Sequence, residues 1–397
     1  MIDKQPEKIR KRSLSDELRT LGGIMFDADK KRSNVLFFTT QSQYISYYEG
    51  IIKQLVDSYK KDIVYLSSDS KDPIFTSGTP GVIPYYAETF LPFVFPLIDY
   101  PVVVTTVPDL HQYKIKRSFS GANYVYVFHA LVSSHMMYRL GAFDFYDTVF
   151  CCGPHHVAEI RRTEELYGLP SKDLYEVGYY RLEKIYQQHQ EFVKSNPVEV
   201  TANGLVLVAP GWHDSNILNT CGEELIKSLL AEGFNVVLRP HPMTIAKSPD
   251  VLTRIRKLFS NSEHFQLDTA TTSETYLHRA DVMICDWSGV ALEYAFGTER
   301  PVLFIDLPRK IYNAEYERLG MEPLEVRIRD QIGKQISPER ASEAGKIVLE
   351  FLDRKRDYRD QILQVRHDNV FNFGRSSIVG AEIIMRMVAE GKKGRAA

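Results

Sequence analysis

Short runs of apolar, β-branched and aromatic residues alternate along this chain with amphipathic stretches of helical length. Six runs in the first half predict strands: "SNVLFFTT", "DIVYLSS", "PVVVTTV", "NYVYVFH", "DTVFCCG" and "LYEVGY". "YYEGIIKQLVDSYKK" and "PHHVAEIRRTEELYG" predict helices between some of them. Runs that are apolar throughout suit strands buried on both faces, so this half is expected to be one α/β unit with mostly parallel strands.

A second series begins at "GLVLVAPG" and continues through "FNVVLRPHP", "HFQLDT", "VMICDW" and "PVLFID", with helices expected near 219–232, 250–259, 272–279 and 289–297. Between the series, "RLEKIYQQHQEFVKSNPVEVTANG" is polar and ends in an Asn-Gly turn signal, the features of a linker. The tail reads as two helices with a basic end. The expected domains are a charged leader at 1–32, a first Rossmann-like domain at 33–185, a linker at 186–203, a second Rossmann-like domain at 204–375, and a helix with a basic tail at 376–397. The fold class is α/β, two doubly wound parallel-sheet domains facing a cleft, with ligands beyond the carboxyl ends of the strands.

Composition narrows the class of partner. Among 397 residues, 49 basic side chains balance 51 acidic ones, so no global charge points to nucleic acid. Four cysteines without ligand spacing suit a reducing cytoplasm, and no apolar run approaches the length of a membrane span. The chain is read as cytoplasmic. Peripheral contact at the inner face of the cell membrane is left open.

Polar residues gather just after the strands. In "CDWSGVALEYA", Ser288 and Gly289 stand at the start of a helix, where free backbone N–H groups favour an anion, and Glu293 lies one turn on, placed for ribose hydroxyls. A plain Ser cap with a first-turn acid explains the same residues. In "VVLRPHP", Arg239 and His241 end a strand on one side, stiffened by prolines, and suit a diphosphate. An ordinary polar turn is the alternative. His129 ends a strand in "YVYVFHA" and is placed to act as a general base, or is structural.

"LVAPGWHDSN" carries Pro210, Gly211 and Trp212 into the loop after the first strand of the second series. Trp212 and Trp287 both fall in such loops, suggestive of base or sugar stacking. The tyrosines of "TTQSQYISYYEG" are placed for acceptor contacts or pack in the core. The segment "PHHVAEIRRTEELYG", with paired histidines and several acids, reads as a charged helix face. No P-loop, G-x-G-x-x-G, G-x-S-x-G or H-E-x-x-H motif is present, and no metal or cofactor is expected.

In order, "FHA", "APGWHD", "RPHP", "ADVMICDWSGVALEYA" and "NFGRSSIVGAEII" resemble motifs of the CDP-glycerol glycerophosphotransferase family, the teichoic acid primases and polymerases of GT-B architecture. The resemblance spans roughly residues 120–385. It implies an acceptor domain followed by a nucleotide-donor domain, with His129 as base and His241 at the CDP phosphates. Ser288 and Gly289 hold the diphosphate in that reading, and Glu293 the ribose. The implied reaction is phosphotransfer of an alditol phosphate from a CDP-alditol, CDP-glycerol first, to a glycan or lipid-linked polymer acceptor in teichoic acid or capsule-like synthesis, releasing CMP. Ala130 replaces the family's Gly and Gly289 its second Ser. The latter makes "DWSGVALEYA" similar also to the D-S-G-G-x-x-E-E-A motif of UDP-sugar-using GT-B proteins, including non-hydrolysing UDP-N-acetylglucosamine 2-epimerases, so a UDP-sugar donor is the alternative.

Overall fold

The structure, a computed structural model, describes residues 12–26, 34–196, 204–270 and 275–391. Thirteen strands fall into two parallel sheets. The first holds β1 (Val35–Thr39), β2 (Ile63–Ser67), β3 (Val82–Tyr86), β4 (Val102–Thr105), β5 (Asn123–Val127), β6 (Thr148–Cys151) and β7 (Asp173–Glu176), in the order β3-β2-β1-β4-β5-β6-β7. The second holds β8 (Leu205–Val208), β9 (Asn235–Leu238), β10 (Phe265–Leu267), β11 (Val282–Cys285), β12 (Val302–Ile305) and β13 (Gly333–Ile336), in the order β10-β9-β8-β11-β12-β13. Each is a doubly wound sheet whose order reverses beside its first strand, between β1 and β4 and between β8 and β11. Such reversals leave a crevice at the carboxyl ends of the two strands.

Two compact units result. Within the described residues, the first comprises the chain up to His129, Tyr138–Arg181 and the chain from Val370; the second comprises Ala130–Met137 and Leu182–Asn369. These borders differ from those expected. The expected linker at 186–203 begins as helix, because Tyr180–Ser195 is helical and buries Leu182, Ile185 and His189 at helical spacing. Residues 197–203 lie outside the described residues. The helix Ser376–Glu390, expected as a separate tail, belongs to the first unit, where Ala381, Ile383, Ile384 and Met387 join the core with Ile51 and Leu55.

The expected leader at 1–32 also contains structure. Helix Leu14–Phe26 covers edge strand β3: the buried Glu17 carboxylate accepts from the Glu88 and Phe90 N–H groups at 3.0 and 2.8 Å, and Thr20 Oγ1 accepts from Tyr86 N at 3.1 Å. An uncovered edge would expose those donors. β3 and β13 escape the sequence reading because β3 carries Pro84 and β13 reads Gly-Lys-Gln-Ile, patterns that an edge position tolerates; the other two edges, β7 and β10, fall on predicted runs.

In the second unit the helix Val290–Thr298 is mostly apolar, and every residue from Ala291 to Thr298, Glu293 included, is buried. Helix Tyr180–Ser195 presses Ile185 against Gly297, where a Cβ would meet Ile185 Cγ2 at 2.5 Å. From helix Lys355–Asn369, Arg366 donates to Phe296 O at 2.6 Å and to Glu299 at 3.3 Å. Its position is therefore fixed from several directions, which holds its N-terminus steady at the crevice.

Gly333 opens β13 directly against β12, and a Cβ there would run into the Val302 backbone. Gly333→Ala is expected to destabilise the protein by on the order of 2 kcal/mol or more. Urea unfolding would measure it, and an unchanged midpoint would show that the β12–β13 pair has slack the packing does not reveal.

Candidate functional site

Asp286, the first residue after β11, is buried and ties the crevice of the second unit together. Its Oδ1 accepts from Gly211 N at 2.7 Å and its Oδ2 from Ile217 N at 3.2 Å, so one carboxylate holds both ends of the loop after β8. His213 Nε2 stands 3.7 Å from the same Oδ2. Pro210 is buried beside this knot. A Cβ on Gly211 would lie 2.7 Å from Asp286 Oδ1, so that glycine is there for the protein's own hydrogen bond.

Gly289 differs. Its φ is −60°, and a Cβ there would meet only Val132 at 3.6 Å and Ala130 at 3.9 Å, ordinary contacts. Nothing in the unit's packing demands glycine. The helix that follows has no side-chain cap, and the Ser288 hydroxyl has no hydrogen-bond partner among the described residues. The Ser-cap alternative is thus absent from the structure, and the uncapped N-terminus keeps its anion preference. Glu293 sits in the first turn of this helix, only 7% exposed.

Behind Ser288 and Gly289 lies a small cavity also lined by Val132, Trp287, Glu325 and Arg329. Arg329 is 1% exposed, with its guanidinium 3.4 Å from the centroid of the Trp287 ring and 4.8 Å from that of Phe304. It donates to Asp286 O at 2.9 Å and Glu325 O at 3.2 Å, while Nη1 lies 4.0 Å from Asp306 and makes no hydrogen bond. Burial pushes its pKa down to about 10, still charged at neutral pH. Trp287, whose Nε1 donates to Leu307 O at 2.6 Å, is therefore part of the core, and the expectation that both tryptophans stack on a ligand fails for it. Trp212 is half-buried, with Lys247 Nζ 5.2 Å from its ring centroid.

Glu325 and Arg329 escaped the sequence reading because "LEVRIRDQI" looks like a charged surface turn. Glu325 also anchors the segment Ala130–Met137, accepting from Ser133 N and Oγ, both at 2.8 Å.

At the end of β9, Arg239 donates Nε and Nη2 to Asp268 Oδ2 at 2.9 and 2.7 Å, so much of the guanidinium expected at a diphosphate is engaged by the protein. His241 Nδ1 accepts from Met243 N at 3.1 Å. The neutral ring therefore carries its proton on Nε2, a donor suited to a phosphate oxygen. Burial and the nearby Lys310 lower its pKa, although Asp286 opposes them.

His129, in the first unit, follows β5. Tyr126 Oη lies 3.3 Å from its Nδ1, and the rings of Tyr44, Tyr138 and Tyr47 surround it with centroids at 5.6, 5.6 and 6.1 Å. This aromatic enclosure pushes its pKa down to about 4, against a hydrogen bond to the Thr106 backbone that favours the proton. The imidazole is neutral at physiological pH. His156, expected on a charged face, is instead buried: it stacks on Phe128 at 3.6 Å between centroids and accepts from Cys152 N at 3.2 Å. Its neighbours fix β6 to the following helix.

Residues 143–329, a little under half of the chain, match the sequence profile of the family described as CDP-Glycerol:Poly(glycerophosphate) glycerophosphotransferase. Over those residues the chain is similar to that family. No curated protein matches its sequence. Among solved structures, the wall teichoic acid polymerase TagF is similar at 13% identity over 95% of this chain and 97% of that one, with a TM-score of 0.59. A UDP-N-acetylglucosamine 2-epimerase from Neisseria meningitidis, bound to UDP-GlcNAc, is similar at 12% over 90% and 100%, with a TM-score of 0.56. A putative UDP-N-acetylglucosamine 2-epimerase from Listeria monocytogenes is similar at 13% over 90% and 97%, with a TM-score of 0.62. At these identities the likeness is one of fold, two Rossmann-like units of the GT-B class.

The glycerophosphotransferase match takes in Gly211, His241, Ser288, Glu293 and Glu325, and ends on Arg329. It starts after His129 and stops before the final helix, so it is narrower than the motif resemblance. Among the described residues no helix is long and apolar enough to cross a membrane, and no group of three or more His, Cys, Asp or Glu is placed to hold a metal ion.

The two crevice glycines should separate. Gly289→Ala is expected to leave the thermal midpoint within about a degree, whereas Gly211→Ala should cost on the order of 1–3 kcal/mol by displacing Asp286. Calorimetry of both variants decides, and equal losses would assign Gly289 a packing role.

Proposed function

We propose that this glycerophosphotransferase-like protein moves an alditol phosphate, glycerol phosphate first among candidates, from a CDP-alditol to a hydroxyl of a glycan or lipid-linked polymer, releasing CMP. The observation that carries the donor site is the uncapped helix N-terminus at the β8–β11 crevice, with an unengaged Ser288 hydroxyl and a Gly289 that packing does not require. Backbone N–H groups there suit a diphosphate. The Nε2–H of His241 donates to a phosphate oxygen, and Glu293 accepts from the ribose. Arg239, clamped by Asp268, stiffens the end of β9 and adds positive potential, while Pro210, Gly211 and Trp212 shape the opposite wall.

In the transfer, the acceptor oxygen bonds to the phosphorus bearing the alditol as that phosphorus breaks from the bridging oxygen, which leaves with CMP. His129 takes the acceptor's proton. Its low pKa makes it a weak base, but one that is unprotonated across the neutral range and held in place by the rings around it. Phosphoryl transfer relies mainly on positioning and charge stabilisation, for which a strong base is unnecessary.

The Ser-Gly pair suits a UDP-sugar too, so a thermal-shift series with CDP-glycerol, CDP-ribitol, UDP and UDP-N-acetylglucosamine tests the donor. CDP-glycerol or CDP-ribitol should raise the midpoint, less so in Gly289→Ala; stabilisation by the uridine compounds alone would replace this reading with the nucleotide-sugar one.

For the base, the acid limb of kcat/KM should fall near pH 4, where the folded imidazole gains its proton, and not near 6.5. His129→Ala should lower kcat about a hundredfold or more while CDP-glycerol still binds. A limb at 6.5, or an active variant, would remove His129 from the mechanism.

A further inference from the structure

Between His129 and Tyr138 the chain leaves the first unit and returns to it. The segment Ala130–Met137 belongs to the second unit, while His129 and Tyr138 belong to the first, where their rings meet with centroids 5.6 Å apart. This strap contains no helix or strand, yet Leu131, Ser133 and Met136 are fully buried. Irregular backbone so enclosed needs partners from elsewhere in the fold. Its later half finds them after β12: Asn313 Nδ2 donates to His135 O at 2.9 Å, and the Tyr312 and Asn313 N–H groups donate to Met136 O at 3.0 and 3.2 Å. Its centre is held by a carboxylate. The buried Glu325 accepts from Ser133 N through Oε2 and from Ser133 Oγ through Oε1, both at 2.8 Å. Both bonds are charge-assisted and shielded from water, the setting in which losing the acceptor costs most. The strap also adjoins the helix N-terminus at Gly289, where a Cβ would meet Val132 at 3.6 Å and Ala130 at 3.9 Å.

We infer that Glu325 is a positioning residue for His129: its grip on Ser133 pins the strap, and the pinned strap fixes both of its ends, the imidazole and the Tyr138 ring that walls it. The catalytic consequence rests on the transferase reading above; the mechanical one does not. The groups facing the imidazole are the phenols of Tyr44, Tyr47, Tyr126 and Tyr138 and the Thr106 backbone. Of these, only Tyr138 adjoins the strap in sequence. With the strap loose, that wall opens and water reaches the ring. The burial that keeps the imidazole neutral then weakens, and it gains its proton at a higher pH. A residue that served packing alone would lower stability on removal and leave the ring's titration where it was.

The test is an NMR titration of the full chain labelled at histidine, the His129 signal being the one lost in His129→Gln, for the parent, Ser133→Ala, Glu325→Ala and Glu325→Gln. The parent ring should titrate at about pH 4. Glu325→Ala, which orphans both Ser133 donors, should raise that midpoint by about one unit or more, and Ser133→Ala, which removes one bond, should raise it less. Glu325→Gln should bring it back, because the carboxamide oxygen accepts from the Ser133 N–H while its NH2 donates to a turned Ser133 hydroxyl. In turnover with CDP-glycerol, kcat should fall about tenfold or more in Glu325→Ala and recover in Glu325→Gln, with the donor KM within about twofold. A midpoint that stays put in both Ala variants, or rises as far in Glu325→Gln as in Glu325→Ala, overturns the inference. If Glu325→Ala does not fold, Ser133→Ala and Glu325→Gln decide on the same terms. The titration needs no substrate, so a midpoint that moves as expected supports the strap even where the parent turns over no CDP-glycerol, a result that would count against the donor reading alone.

Discussion

A single buried carboxylate organises the second unit's crevice. Asp286 receives two backbone N–H groups from the loop after β8 through its side chain, and the Arg329 guanidinium through its own carbonyl. Charge-assisted bonds of this kind are stronger than neutral ones, and in a buried setting breaking one partner is costly. Because Asp286 also leads directly into Trp287, Ser288 and Gly289, the same residue that locks the loop fixes where the helix N-terminus begins. Arg329 then supplies the charge that a buried acid needs near it. Its guanidinium also lies 3.4 Å from the Trp287 ring centroid and 4.8 Å from that of Phe304, so charge and rings are packed together beneath the crevice.

The first unit uses the opposite device. Around His129 the chain places tyrosines, and burial outweighs the Thr106 backbone hydrogen bond that favours the proton. A carboxylate neighbour would have raised its pKa and kept it protonated for longer; the aromatic wall keeps it neutral. The two candidate histidines thus differ in function by environment. His241 has its Nδ1 occupied by a backbone N–H and is left a donor, whereas His129 is kept uncharged by burial.

Central strands were legible because they are buried on both faces and read as unbroken apolar runs, as in "VLFFT" and "VMIC". The edge strands β3 and β13 were not, since their positions admit Pro84 and Lys334, whereas the edges β7 and β10 kept enough of a run to be read. The loops after these strands were legible as loops, since polar residues follow each buried run directly. What sequence could not show is which polar groups the protein satisfies itself. Arg239 reads like a ligand residue until Asp268 appears beside it, and Arg329 reads like surface until Trp287 and Phe304 close over it. Both outcomes depend on residues distant in the chain. Tyr44, Tyr47 and Tyr48 are indistinguishable as letters, and only the turn geometry separates the fully buried Tyr48 from its half-buried neighbours.

The helix Ser376–Glu390 packs into the core of the unit whose first strand lies more than three hundred residues earlier. During synthesis that first sheet emerges long before Ala381, Ile384 and Met387, and the second unit is made in the interval. The early sheet must wait with an apolar face open until the late helix arrives. A ribosome-bound chain is thus committed to a long interval in which its first half depends on chaperones or on transient burial, and a stop codon shortly before Ser376 would leave that face permanently uncovered.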